Sequence, residues 1–422
     1  MMSQNAKTAF SAAEILLPRK SAMSEAWAVC ACDQYTGEPA YWAETEQIVG
    51  EQPSTLRLIL PEVYLENADV AERIEKIHSA MDAYLENDVF ETYSNAMIYL
   101  ERIQSDGKCR AGLVGKIDLE QYDYTKGSTS LVRATEATVA ERIPPRVKIR
   151  RGAGIELPHI MILLDDAKKT VIEPLEAQKS AMEKVYETKL MQGGGSIQGW
   201  LVPADAQAKI LDALTALGNA ENFDNGVAPL VYAMGDGNHS LATAKAFYEE
   251  WKAANPTADT ENCSMRYALV ELVNLHSDAL QFEAIHRILN GVDASKLLAD
   301  MTAALDLRTD AKAAQAMEII VNGTKTTYYI HKPTSNLTVG SVQSFLDAWL
   351  KANGGKIDYI HGADVVEKLA QAADSMGILL PDMQKSELFP TVIKDGALPR
   401  KTFSMGHAAD KRFYMECRKI SE

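Results

Sequence analysis

The chain has 422 residues, with 43 Lys+Arg against 58 Asp+Glu and a formal net charge of −15 at pH 7. That length allows two or three domain-sized units and a large core that needs no disulfide or metal to fold. The acidic balance argues against general nucleic-acid binding, which needs a basic face, and apolar runs such as 160-IMILL-164 are far too short to span a bilayer.

The first residues show no basic segment followed by an apolar core and a cleavage site, so no secretory signal is expected. The five cysteines, Cys30, Cys32, Cys109, Cys263 and Cys417, are odd in number and form no CxxC pair. A reducing, cytoplasmic setting fits them better than a disulfide scaffold. Cys30 and Cys32 are expected as small residues sharing one strand face.

Residues 1–25 read as an N-terminal arm, followed by an α/β domain over 26–165. A short strand is expected at 26-AWAVCACDQY-35. Over 69–88, Val70, Ile74, Ile77, Met81 and Leu85 share one helical stripe behind a capping Asp69. The stretches 96–103 and 111–119 read as strands joined by the turn 105-SDGKC-109. The polar segment 133–159 places Arg133, Arg142, Arg146, Arg150 and Arg151 close together in an acidic chain. It is either a loop whose arginines pair with carboxylates or an anion-binding surface.

A second domain is expected over 166–290. A strand expected at 160–166 closes the first domain, and the second holds a helix over 174–190, a glycine-rich hairpin turn or loop at 192–200, and a helix over 204–219. The glycines at 192–200 lack the spacing of a nucleotide-binding loop. The remaining residues, 291–422, read as a third, C-terminal α/β domain. Its expected helices lie at 295–305, 341–354 and 364–375, and its strands at 317–323, 325–333, 357–362 and 377–381. The fold class is therefore α/β or α+β, with mixed sheets and flanking helices.

The segment 228–256 carries the most chemistry. An apolar strand, 230-LVYAM-234, runs into 235-GDGN-238, where two glycines permit positive φ and close backbone approach. His239 and Ser240 open an amphipathic helix, whose first amides form a ready anion site. Asp236, Asn238 and His239 sit beside it; the plainer reading is a capped turn. Downstream, Glu283 and His286 at i, i+3 would share a helical face. The segment 396–418 reads as a rigid basic loop that closes over an anion or docks on its own chain.

The sequence resembles the domain-of-unknown-function 1015 family, conserved proteins of bacteria and archaea marked by an A-D-G-H-H-R type motif, matched here by 235-GDGNHS-240. Also matching are 30-CACDQY-35, 113-LVGKIDLEQYDY-124 with 133-RATEAT-138, the F-E-x-I-H-R block within 266–289, and 399-PRKTFSMG-406. The turn is similar, more remotely, to one in the ParB and sulfiredoxin-like superfamily, whose members, including free serine kinases, place it on nucleotide phosphates. The resemblance implies a ParB/sulfiredoxin-like core and nucleotide binding or phosphoryl transfer. Asn238 and Ser240 depart from the family's His and Arg, and the second change removes a forked phosphate clamp.

The leading expectation is an enzyme acting on a small anionic ligand, a phosphorylated or nucleotide-linked metabolite, with phosphotransfer to an amino acid by analogy. Phosphate would bind at Gly235, Gly237, Asn238 and Ser240, with Asp236 or His239 moving a proton. Arg133, Arg146, His286, Arg287, Arg400 and Lys401 are candidate substrate or phosphate contacts. Asp33 and Glu136 are candidate carboxylates for a hydroxyl acceptor or for Mg²⁺ carried with ATP or ADP. A structural transition-metal site is not expected, nor a membrane or nucleic-acid partner; monomer and oligomer both suit the composition. The alternatives are a non-catalytic nucleotide or amino-acid sensor using the same pocket, and a partitioning-type DNA-binding protein. The last would need a basic recognition helix, which none of the expected helices supplies.

Overall fold

A computed structural model describes residues 8–136, 141, 143–224 and 226–420. The chain forms two compact units, 1–280 with 407–422, and 281–406. The architecture is mixed, with sheets flanked by helices, as the alternation of patterns predicts. Among the described residues no helix is long and apolar enough to cross a membrane.

The first unit is built on a mixed sheet, ten-stranded among the described residues. In spatial order its central strands are Ile98–Ile103, Cys109–Asp118, Tyr267–Asn274, Met161–Leu164, Tyr232–Asp236 and Val132–Arg133. The hairpin Glu183–Lys189/Ser196–Leu201 extends one edge. Successive side chains of a strand point to opposite faces, and this sheet is buried on both. Ile98 and Leu100 join one apolar cluster, while Met97 and Tyr99 join the other. Hence 96–103 reads as a nearly continuous apolar run rather than an alternating one.

Residues 407–422 belong to this unit, and the charged side chains of Asp410, Arg412, Glu416 and Arg418 are buried in it. Arg412 donates to Glu271 at 2.8 Å and to Glu416 at 2.7 Å, and Tyr186 donates to Glu416 at 2.6 Å. Arg418 and Arg150 converge on Glu156 at 2.6 and 2.5 Å. Burial pushes the Glu156 carboxyl up, but the two guanidiniums outweigh it and hold it below its ordinary range. A buried ion pair can be replaced whole at little cost, whereas losing one partner is severe. The network therefore locks the tail to one register.

Three local expectations are corrected. Residues 26–35 form a bend with a single bridge, Cys30 to Phe413, because the tail supplies the pairing: Ala31 N donates to the Arg412 carbonyl and Tyr414 N to the Val29 carbonyl. The expected helix 174–190 is a 3₁₀ segment, Glu173–Ala181, followed by the strand Glu183–Lys189. Its alternation buries Tyr186, and a glycine turn at 193–195 closes the hairpin, while 196–200, expected as part of that turn or loop, is strand. The third concerns 282–290, described below. The segment 8–25 contributes Ala13–Pro18, paired with Phe90–Ala96, and Cys30 and Cys32 are free thiols.

The second unit holds an antiparallel sheet, seven-stranded among the described residues, with the helices Ala294–Leu305, Thr338–Asn353, Ala363–Leu369 and Lys385–Asp395. Residues Phe282–Asn290 form one of its central strands. Glu283 and His286 therefore stand on opposite faces, not on a shared helical one.

Candidate functional site

The elbow is built as the sequence suggests, with added detail. The strand Tyr232–Asp236 pairs antiparallel with Met161–Leu164, and the register slips between Met234 and Asp236, so Gly235 sits at a bulge. Gly237 follows in the left-handed region at φ 78°, ψ 27°, and the helix Asn238–Ala254 begins at once. A Cβ on Gly237 would lie 3.0 Å from Ile160 Cα and 3.5 Å from His159 Cδ2. The chain can turn this close to its neighbour only through glycine. No side chain caps the helix and no acidic residue stands in its first turn, so its leading amides and dipole suit an anion.

Two charged pairs flank the turn. Asp236 accepts its own turn's Gly237 N–H at 2.9 Å and pairs with Lys411 at 3.4 Å. Beside Gly237, His159 is 2% exposed; its Nδ1 meets the Tyr414 hydroxyl at 2.7 Å and its Nε2 lies 3.5 Å from Asp33 Oδ1. Burial favours neutral forms of both partners. For Asp33 it is outweighed by the His159 charge and hydrogen bond, then Gln34 and Lys411, which hold the carboxyl well below its ordinary range. For His159, burial is overcome by Asp33, and the imidazole is held well above its ordinary value. Each partner thus favours the charged form of the other, and the Asp33 side chain is 30% exposed.

A cavity of ≈ 140 Å³ adjoins the elbow, lined at this end by Cys32, His159, Ser240, Thr243 and Tyr414. Ser240 is the third residue of the helix, and Asn238 and His239 are the first and second. The Thr135 hydroxyl donates to the Met234 carbonyl at 2.7 Å, which carries the segment ending in Glu136 along the elbow strand.

The arginine tract behaves differently from an open anion surface. Arg133 is buried and donates to the Ser130, Ala228 and Pro229 carbonyls at 2.7, 3.0 and 2.9 Å. Arg146 lies on the short helix Ile143–Arg150 and binds Glu62, and Arg151 pairs with Glu250. Residues 137–140 and Arg142 lie outside the described residues. In the second unit, fully buried Arg287 donates to Gln343 and to the carbonyls of Ile285, Lys401 and Arg400. His286 Nδ1 accepts the Leu380 N–H at 3.2 Å. Arg400 is bonded to Tyr359 and Asp347, and exposed Lys401 takes a positive φ of 55°. His286, Arg287 and Arg400 are thus engaged within their own unit. The elbow instead gathers His159, Lys411 and Tyr414; of these the sequence marks only Lys411, as one of the basic residues of 396–418. They come from a pre-strand loop and from the tail, and no local motif marks His159 or Tyr414.

A model of the family described as "Protein of unknown function (DUF1015)" matches residues 14–349, and the chain belongs to this family. No curated protein matches it. Among solved structures, SbnI with C-terminal truncation from Staphylococcus aureus is 9% identical at a TM-score of 0.37, covering 69% of this chain and 82% of that one. A conserved hypothetical protein from Pyrococcus furiosus is 12% identical at 0.37, with coverages of 73% and 94%. Free serine kinase in complex with AMP is 11% identical at 0.39, with coverages of 73% and 92%.

Proposed function

We propose that the protein is an enzyme that binds the phosphate of a small phosphorylated or nucleotide-linked metabolite at the Gly235–Ser240 elbow and transfers a phosphoryl group. The observation that carries this reading is an uncapped helix start, turned through left-handed Gly237 against the buried His159 ring, with Lys411 alongside. The reading agrees with the sequence resemblance to the ParB and sulfiredoxin-like superfamily.

In this scheme the amides of Asn238, His239 and Ser240 hold phosphate oxygens, and Lys411 and the helix dipole offset their charge. Asp33, ionised and partly exposed, orients an acceptor hydroxyl. The acceptor oxygen bonds to phosphorus as the donor's bridging P–O bond breaks, and the leaving phosphate carries away the negative charge. The hydroxyl proton passes to Asp33 late, because a loose transition state asks little base strength. His159 and Tyr414 hold Asp33 in place. The donor chemistry fits Mg²⁺, which takes one or two carboxylates beside phosphate oxygens and water. Asp236 and Asp33 are the oxygen ligands on offer, and the ion would neutralise charge on the transferring group.

The test is turnover of ATP or ADP with Mg²⁺ against a panel of hydroxyl-bearing amino acids. Asp33→Asn should abolish turnover while ATP or ADP binding is retained. Nucleotide binding without turnover by the wild type would replace the enzyme with a sensor.

A further inference from the structure

The elbow explains where a phosphate sits but not the cavity beside it. That ≈ 140 Å³ space meets the elbow along His159, Ile160 and Ser240, and away from them its wall is apolar: Leu58, Leu60, Met81, Ile149, Ala153 and Leu157. The charged groups on its border are already engaged, Arg146 by Glu62 and Arg150 by Glu156. Its size is close to that of a cavity of about 150 Å³ known to accept benzene. The ring nitrogens of a nucleobase would lose their water partners against leucine and isoleucine walls, which is costly.

We infer that this chamber takes a compact apolar group about the volume of benzene, joined to the phosphate held at the elbow. The substrate class is then the phosphate ester of a small apolar alcohol, or the hydroxyl compound that becomes one, with any nucleotide base lying outside the chamber. The inference rests on the phosphate reading of the elbow and deepens it. Ligands of this class span two environments: the anion meets amides and Lys411, and the apolar body displaces water from aliphatic walls.

Calorimetric titration with inorganic phosphate, phenyl phosphate and AMP, without any second substrate, tests the inference. Phenyl phosphate should bind about 30-fold tighter than inorganic phosphate, the return for burying one ring. Ala153→Leu, which fills the chamber, should abolish that preference and leave inorganic phosphate unchanged. Met81→Ala, which enlarges it, should shift the preference to naphthyl phosphate and serves if the first variant does not fold. Equal affinity for phosphate and phenyl phosphate in the wild type overturns the chamber while leaving the elbow standing. AMP binding that Ala153→Leu abolishes also overturns it, because the base would then occupy the chamber. If none of the three ligands binds, the elbow reading itself fails.

Discussion

Gly237→Ala probes the geometry on which the site depends. An L residue at φ 78° pays about 1–2 kcal/mol for the left-handed backbone. The new Cβ would also stand 3.0 Å from Ile160 Cα and 3.3 Å from its Cγ1. Ile160 has no room to retreat: it is 1% exposed, and its carbonyl accepts the Glu271 N–H at 2.9 Å. Forcing a methyl into such packing adds about 1–3 kcal/mol, so the total is roughly 2–5 kcal/mol. Gly107→Ala is the control, since Gly107 has φ 82° but nothing within 4 Å of where its methyl would stand; it incurs only the backbone cost, about 1–2 kcal/mol. Urea unfolding of both variants isolates the contact as their difference, and phosphate titration reports the elbow. A Gly237→Ala variant no less stable than Gly107→Ala would refute the close approach of the turn to Ile160, and with it the assembled site.

The Asp33–His159 pair gives a pH signature. With Asp33 depressed and His159 raised, the pair contributes fully between about pH 4 and 6.5, the ordinary values of the two groups. Its contribution falls as pH rises past 6.5 through the raised histidine value, and as pH falls below 4 through the depressed aspartate value. Unfolding free energies measured from pH 5 to 9 should decline less steeply for His159→Gln than for the wild type. Lys411→Gln should weaken phosphate binding by about tenfold or more, the loss of one charge-assisted bond, and flatten its salt dependence in a titration series. Arg412→Met leaves Glu271 and Glu416 buried without their shared partner and should cost about 3–5 kcal/mol in denaturant unfolding.

Much of the architecture is legible from periodicity. The helices Val70–Glu86, Ala204–Leu217, Ala294–Leu305 and Thr338–Asn353 lie where apolar stripes predict them, because a stripe of that spacing is buried whatever its partner. The glycine elbow is legible too, since left-handed φ and close approach are demands only glycine meets cheaply. Short segments mislead: 183–189 and 282–290 have helix-compatible composition, yet each is a strand because a neighbouring strand offers it a ladder.

What the sequence determined by itself is therefore local: the mixed α and β class, the turn at Gly237, and the helix that opens directly after it. Only the tertiary structure decided which charges serve it. Arginine is conspicuous in the chain, but Arg133, Arg146 and Arg287 are engaged by carbonyls and carboxylates of their own units. The groups at the elbow come from three distant parts of the chain, Asp33, His159, and Lys411 with Tyr414, and meet because the tail 407–422 folds back into the first unit. Burial of paired charges depends on which partners share a low-dielectric space, and that is a property of packing rather than of spacing along the chain.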